Sequence, residues 1–190
     1  ERIRLVLARE FERLGHKPEF VLMQARGELL EEARDSFPVH ELGCKRLRKV
    51  PVVLRGYLRR NRPDAMLAAM WPLTGIAGLA TRLAGLGTCL VASEQNDFRH
   101  MPSLKQSERW ALKRFGPQLY GPCHKVVAVS HGVADSLHEI AGLDFERLTV
   151  IYNPVRPLPP APMTDEDLRH LADWLQGEAR IIAVGTLKQQ

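Results

Sequence analysis

Short, nearly continuous apolar runs alternate with stretches of helical period from Ile3 to Tyr152, and no other feature limits the possible fold as strongly. Ile3, Leu5, Val6, Leu7, Phe11 and Leu14 form one helical stripe, closed by Gly15, where a glycine can take the left-handed cap. Residues 19–24 read as a short strand, 47–60 as a helix with Pro51 in its first turn, and 64–70 as a buried strand. A helix over 73–83, a strand over 88–93 and a helix over 103–115 follow. The series closes with strands over 125–130 and 148–152 on either side of a helix over 132–140. Apolar strands separated by helices give a parallel sheet covered on both faces, so the fold class is α/β, a doubly wound Rossmann-like sheet.

The texture changes after Tyr152. Residues 153–163 hold five prolines, which cannot pair in a sheet and keep the chain extended. A capped helix over 164–176 and one strand over 180–184 come next, the start of a second α/β domain. The sequence therefore divides into a first domain over 1–153, a proline-rich hinge over 154–163 and a beginning second domain over 164–190. Both ends read as cut, the first inside a helix and the last just after a strand.

Composition narrows the classes further. The 190 residues are 45% hydrophobic and 26% charged, as expected of a globular chain and not of a disordered one. Three cysteines, an odd number with no C-x-x-C, suit reduced thiols in a cytoplasmic protein. The longest uncharged run, 65–81, is interrupted by Pro72, Gly75 and Gly78 and is shorter than the roughly 18 residues a membrane span needs. A net charge of +5 points to an anionic partner.

Ligands of an open parallel sheet bind beyond the carboxyl ends of its strands. The densest polar cluster there is Ser93-Glu94-Gln95-Asn96-Asp97, which offers a carboxylate and amides to the hydroxyls of a sugar-like ligand, or forms an ordinary Asn/Asp turn. Ser130-His131-Gly132 closes a strand and opens a helix, with Ser130 placed as an N-cap. Asp165-Glu166-Asp167 matches a metal-holding D-x-D, but in a first helical turn acidic residues complement the helix dipole, and capping is the better reading. No metal site is expected: Cys123-His124 with His131 lacks a fourth ligand, and no phosphate-cradling glycine loop is present.

The strongest compositional anomaly is the stretch from Lys45 to Arg62. It carries Lys45, Arg46, Arg48, Lys49, Arg55, Arg59, Arg60 and Arg62 and no acidic residue. Leu47, Val50, Leu54, Tyr57 and Leu58 would form an apolar stripe, with Arg55, Arg59 and Arg62 on another face. Lys105, Arg109, Lys113 and Arg114, interleaved with Trp110, Leu112 and Phe115, make a second basic patch. Such helices either lie on anionic lipid or present a solvated face. Few aromatics and no recognition module argue against nucleic acid.

The order of motifs resembles the N-terminal domain of a GT-B glycosyltransferase of the large retaining family 4. Glu1-Arg2 and Leu14-Gly15-His16 resemble the G-G-x-E-R helix and its closing R-G-H, and Arg62-Pro63-Asp64 the k-P-D before a central strand. Val127 to Ser130 with Gly132-Val133, then Val150 to Val155, resemble v-a-v-S-x-g-v and v-I-x-N-P-v. Residues 182–187 resemble the v-G-R-L of the nucleotide-binding domain, with Thr186 in place of Arg.

The resemblance implies a retaining transfer from a nucleotide-sugar donor to a glycan or lipid-linked acceptor, without a required metal or other cofactor. The setting it implies is lipopolysaccharide or polysaccharide synthesis at the cytoplasmic face of a membrane. Glu94 would be a catalytic candidate, with Ser93, Gln95, Asn96, Ser130, His131 and Gly132 lining the acceptor cleft. Gly185 and Thr186 would stand on the donor-phosphate side, and Asn153-Pro154 would mark the hinge. The family's first strand and Gly-Gly loop would precede Glu1, so this segment alone is expected not to turn over. The rival readings are a GT-B epimerase or phosphorylase, and a non-catalytic α/β module that docks on membranes.

Overall fold

A computed structural model describes residues 2–154 and 164–175. The chain divides into two compact units, Glu1–Asn153 and Pro154–Gln190. The first opens with helix α1 (Arg2–Arg13), and the chain turns out of it at Gly15, whose φ of +88° is the left-handed geometry foreseen there. Strand β1 (Phe20–Leu22), helix α2 (Leu30–Ser36) and strand β2 (Val39–Glu41) follow. β1 and β2 pair in parallel as a two-stranded sheet. α2 and β2 lie in a stretch without a periodic signal, because seven helical residues and three extended ones are too few to establish a period.

A 3-10 turn at Leu47–Lys49 leads into α3 (Val50–Asn61), with Pro51 in its first turn, where no backbone donor is lost. The remainder alternates as expected: β3 (Ala65–Ala69), α4 (Leu73–Ala84), β4 (Cys89–Glu94), α5 (Gln106–Tyr120), β5 (Cys123–Ala128), α6 (His131–Ala141) and β6 (Leu148–Val150). β3 to β6 form one parallel sheet in sequential order.

α5 runs five residues beyond its expected end, through Gly116 and Pro117. Two contacts explain the extension. Tyr120 in the last turn is fully buried, and Gly116 lets α5 approach α6 so closely that a Cβ there would stand 2.0 Å from the Ala141 carbonyl oxygen. Gly78 plays the same part between α4 and α5, with Leu119 O at 2.0 Å from the equivalent position.

Helices α3, α4, α5 and α6 pack side by side over one face of the four-stranded sheet, burying Leu90, Ala92, Val126 and Ala128. The other face is less covered than a doubly wound sheet was expected to be. Burial alternates strictly along β4, and Leu67 of β3 is exposed. The reason is the position of α1 and α2. Leu5, Ala8, Ala33 and Phe37 pack with Phe20 and Val39, so these helices cover the β1–β2 sheet instead.

In the second unit, α7 (Asp165–Leu175) starts with a reciprocal cap. Thr164 N donates to Asp167 Oδ2 at 2.8 Å, and Asp167 N to Thr164 Oγ1 at 3.1 Å. That is the capping role expected for the acidic triplet. The strand expected over 180–184, and with it Gly185 and Thr186, lies outside the described residues.

Candidate functional site

The carboxyl ends of β3 to β6 carry the polar residues singled out above. Strand parity separates the first cluster. Leu90, Ala92 and Glu94 point to the helix-covered face, whereas Ser93 points to the other. Glu94, expected to line a cleft, is therefore 0% exposed. Its Oε1 accepts from Thr74 Oγ1 at 2.5 Å and Tyr120 Oη at 2.6 Å, and its Oε2 from the Trp71 backbone N–H at 3.1 Å. This carboxylate joins the loop before α4, the end of β4 and the last turn of α5. Burial pushes its pKa up, while the three donors and the Arg4 charge pull the other way. Burial and the Glu94 charge push the Tyr120 phenol well above its ordinary value, so it stays a donor.

The rest of the rim is open. Gln95 Nε2 donates to Ser93 Oγ at 3.1 Å, and Asn153 Nδ2 donates to Gln95 Oε1 at 2.9 Å, so a candidate hinge residue and two candidate cleft residues form one chain. Asn96 is half-buried, and its amide has no side-chain partner among the described residues. Pro154 follows Asn153 and is exposed. Ser130 caps α6, its Oγ accepting from Val133 N at 3.2 Å. His131 is exposed and stands edge-on to Tyr152, which is 64% exposed, with ring centroids 6.3 Å apart.

An ion-pair clamp joins the two loops. Arg99 lies against Asp97 at 2.8 Å, donates to Gly132 O at 3.0 Å and reaches Glu139 at 3.4 Å. The Arg99 hydrogen bonds hold the Asp97 carboxyl at a pKa of about 2. Ser93, Gln95, Asn96, Ser130, His131, Gly132 and Asn153 thus occupy one edge, and Glu94 sits beneath it. Trp71 and Thr74 bound the turn just after β3, where the open-sheet rule already points, whereas Tyr120, Arg99 and Tyr152 belong to this constellation and were not foreseen. Thr74 and Tyr120 reach Glu94 across 20 and 26 residues of sequence. What the sequence could not show for Thr74 is its partner, since Glu94 comes from the next strand.

The basic stretch does not act as a single patch. Arg55 Nε donates to Leu83 O at 3.1 Å and Arg59 Nε to Ala84 O at 3.2 Å, so both cap the carboxyl end of α4, where a cation suits the helix dipole. Arg62 is the left-handed C-cap residue of α3, and Arg60 is exposed. Lys45, Arg46, Arg48 and Lys49 are exposed and make no ion pair or side-chain hydrogen bond among the described residues. On α5, Arg109 donates to Phe98 O, while Trp110 and Phe115 stand exposed with Arg114 over the Phe115 ring at 5.1 Å. Among the described residues no three His, Cys, Asp or Glu side chains are grouped as metal ligands, and no helix is long and apolar enough to cross a membrane.

The family model of Glycosyltransferase Family 4 matches residues 1–157. Among solved structures, a glycosyltransferase from Rickettsia africae ESF-5 superposes with a TM-score of 0.63 at 20% identity, covering 91% of this chain and 45% of that one. MurG from Acinetobacter baumannii superposes with a TM-score of 0.55 at 16% identity, covering 85% of this chain and 43% of that one. The chain therefore spans less than half the length of either structure. No curated protein matches its sequence.

Proposed function

The chain belongs to Glycosyltransferase Family 4, and from that premise we propose that it is the acceptor-side half of a retaining glycosyltransferase. The donor is a nucleotide sugar, and the acceptor is a glycan or lipid-linked glycan of cell-surface polysaccharide or lipopolysaccharide synthesis. The reaction takes place at the cytoplasmic face of a membrane, with no required metal. The observation that carries this reading is the family match over the whole first unit, whose sheet presents a hydroxyl- and amide-rich rim at its ligand-binding edge.

Each rim residue then has a part. Asn96 brings an uncommitted amide to acceptor hydroxyls. Ser93, Gln95 and Asn153, already joined in a chain, fix the shape of the floor without reorganising when a ligand arrives. His131 and Tyr152 offer an exposed imidazole and an aromatic face beside it. Glu94 acts from below as a positioning residue, because its three partners hold the loops that carry the rim. The transition state has oxocarbenium character, and charge on the leaving diphosphate is met by donors on the donor-phosphate side, to which the resemblance assigns Gly185 and Thr186.

The test is a transfer assay on the intact protein with a panel of nucleotide sugars and a membrane lipid-glycan extract. Acceptor-dependent release of nucleoside diphosphate that persists in EDTA, with the anomeric configuration retained in the product, is the expected result. Release that needs a divalent cation would overturn the metal-free reading, and an inverted product the retaining one. Epimerisation or phosphorolysis with no acceptor transfer would overturn the reading as a transferase.

A further inference from the structure

We propose that the hollow at the head of α3 is a docking surface for anionic phospholipid head groups, which seats the carboxyl-end edge of the first unit on a membrane. This rests on the lipid-linked acceptor reading and names the surface that would serve it. The hollow, of about 420 Å³, is lined by Gly43, Lys45, Arg46 and Lys49. All three cations are exposed and none is engaged by a carboxylate or carbonyl among the described residues. Residues 42–63 contain no acidic side chain, so nothing nearby in sequence neutralises the charge. Phosphate is the anion that such a cluster of lysine and arginine recognises best.

Charge alone would suit a free phosphate equally well, and the neighbouring apolar residues decide between the sources. Leu47, in the turn beside the hollow, is 41% exposed, and Val52 and Val53, in the first turn of α3, are 66% and 37% exposed. Exposed branched aliphatics interleaved with unpaired cations suit an interface in which head groups and acyl chains lie side by side. A free phosphate would leave them bare, and a nucleic-acid backbone has no use for them.

The position is also functional. α3 continues through Arg62 to Asp64 directly into β3, and its twelve residues span about 18 Å, roughly the length of the strand they run back along. Its head therefore stands at the carboxyl end of the sheet, the same end as the Ser93–Asn153 rim. Arg55 and Arg59 are spent on the far end of α4.

The experiment is sedimentation of the intact protein with vesicles of phosphatidylglycerol and phosphatidylcholine, beside vesicles of phosphatidylcholine alone. The wild type should sediment with the first and not the second. Each reversed cation near an anionic surface weakens binding several-fold, so the triple change Lys45→Glu, Arg46→Glu, Lys49→Glu should lower partitioning by about a hundredfold or more. Val52→Ser should lower it more modestly, and the pair Arg55→Gln, Arg59→Gln should leave it nearly unchanged. Equal sedimentation of the triple variant, or loss confined to the Arg55 and Arg59 pair in a protein with unaltered circular dichroism, would overturn the assignment. So would displacement by inorganic phosphate beyond that caused by chloride at equal ionic strength, which would mark a free-phosphate site. Transfer to a water-soluble acceptor is independent of docking and should survive the triple change. Vesicle binding through the hollow in a protein that transfers no sugar would leave this surface standing and remove the transferase reading.

Discussion

Glu94 offers the sharpest test of how the structure holds together. Replacing it with alanine strands the Trp71 backbone N–H and leaves the buried Thr74 and Tyr120 hydroxyls, 3.4 Å apart, only each other as partners. An unsatisfied buried donor costs about 1–3 kcal/mol, and the two left after the hydroxyls pair with each other exceed the relief from removing a desolvated charge. A net loss of about 4 kcal/mol is expected, a large share of the roughly 5–15 kcal/mol that keeps a domain folded. Glu94→Gln keeps the shape and can turn its oxygen toward Trp71 and its amide toward the two hydroxyl oxygens, so it should cost only about 1–2 kcal/mol. The assay is urea unfolding followed by tryptophan fluorescence, since Trp71 sits edge-on to Phe98 at 6.2 Å and reports on this loop.

The pH dependence adds a second reading. Burial raises the folded-state pKa of Glu94 above its ordinary 4.5, so the folded protein holds that proton more tightly than the unfolded chain does. Its contribution to stability is therefore most favourable below that value, declines as pH rises toward the folded pKa and levels off above it. Glu94→Gln does not titrate, so the wild type's advantage over it should shrink as pH rises above the ordinary 4.5 toward the raised folded-state value. An alanine variant within about 1 kcal/mol of wild type would refute the buried three-donor node. A wild-type advantage over Gln that grows with pH would refute the raised pKa.

Two further outcomes follow from the packing and the clamp. Gly116→Ala puts a Cβ 2.0 Å from the Ala141 carbonyl oxygen. It should destabilise by about 2 kcal/mol or more despite alanine's better helix propensity, and an unchanged urea midpoint would refute the close approach of α5 and α6. The Arg99 hydrogen bonds lower the Asp97 pKa from 3.8 to about 2, so their stabilisation is present above pH 3.8 and is lost as pH falls through 2. The difference in thermal midpoint between wild type and Asp97→Asn should accordingly vanish in that acid range, and a constant difference would show that Arg99 does not hold the carboxylate.

Local pattern fixed most of the fold. Period alone placed α1, α3, α4, α6 and the strands β1 and β3 to β6, and the Asp165 to Asp167 cap was legible because its partner Thr164 is adjacent in sequence. What a residue does at the end of an element was not legible in the same way. Ser130 was readable as a cap because its acceptor geometry involves only Val133, three residues on. Glu94 was not, because its surroundings arrive from α4 and α5. The five-residue extension of α5 past Pro117 was equally hidden, since the carbonyl that Gly116 approaches and the carboxylate that Tyr120 meets belong to other elements.

The basic stretch makes the division plain. Eight cations between Lys45 and Arg62, with no acid to balance them, are legible from the residues alone. Which of them are occupied depends on packing: α3 against α4 gives Arg55 and Arg59 the carbonyls of Leu83 and Ala84, while the head of α3 projects Lys45, Arg46 and Lys49 into solvent around a hollow. Helical and strand periods are written within a few neighbouring residues, whereas the partner of a charge is set by whichever distant backbone the fold brings beside it.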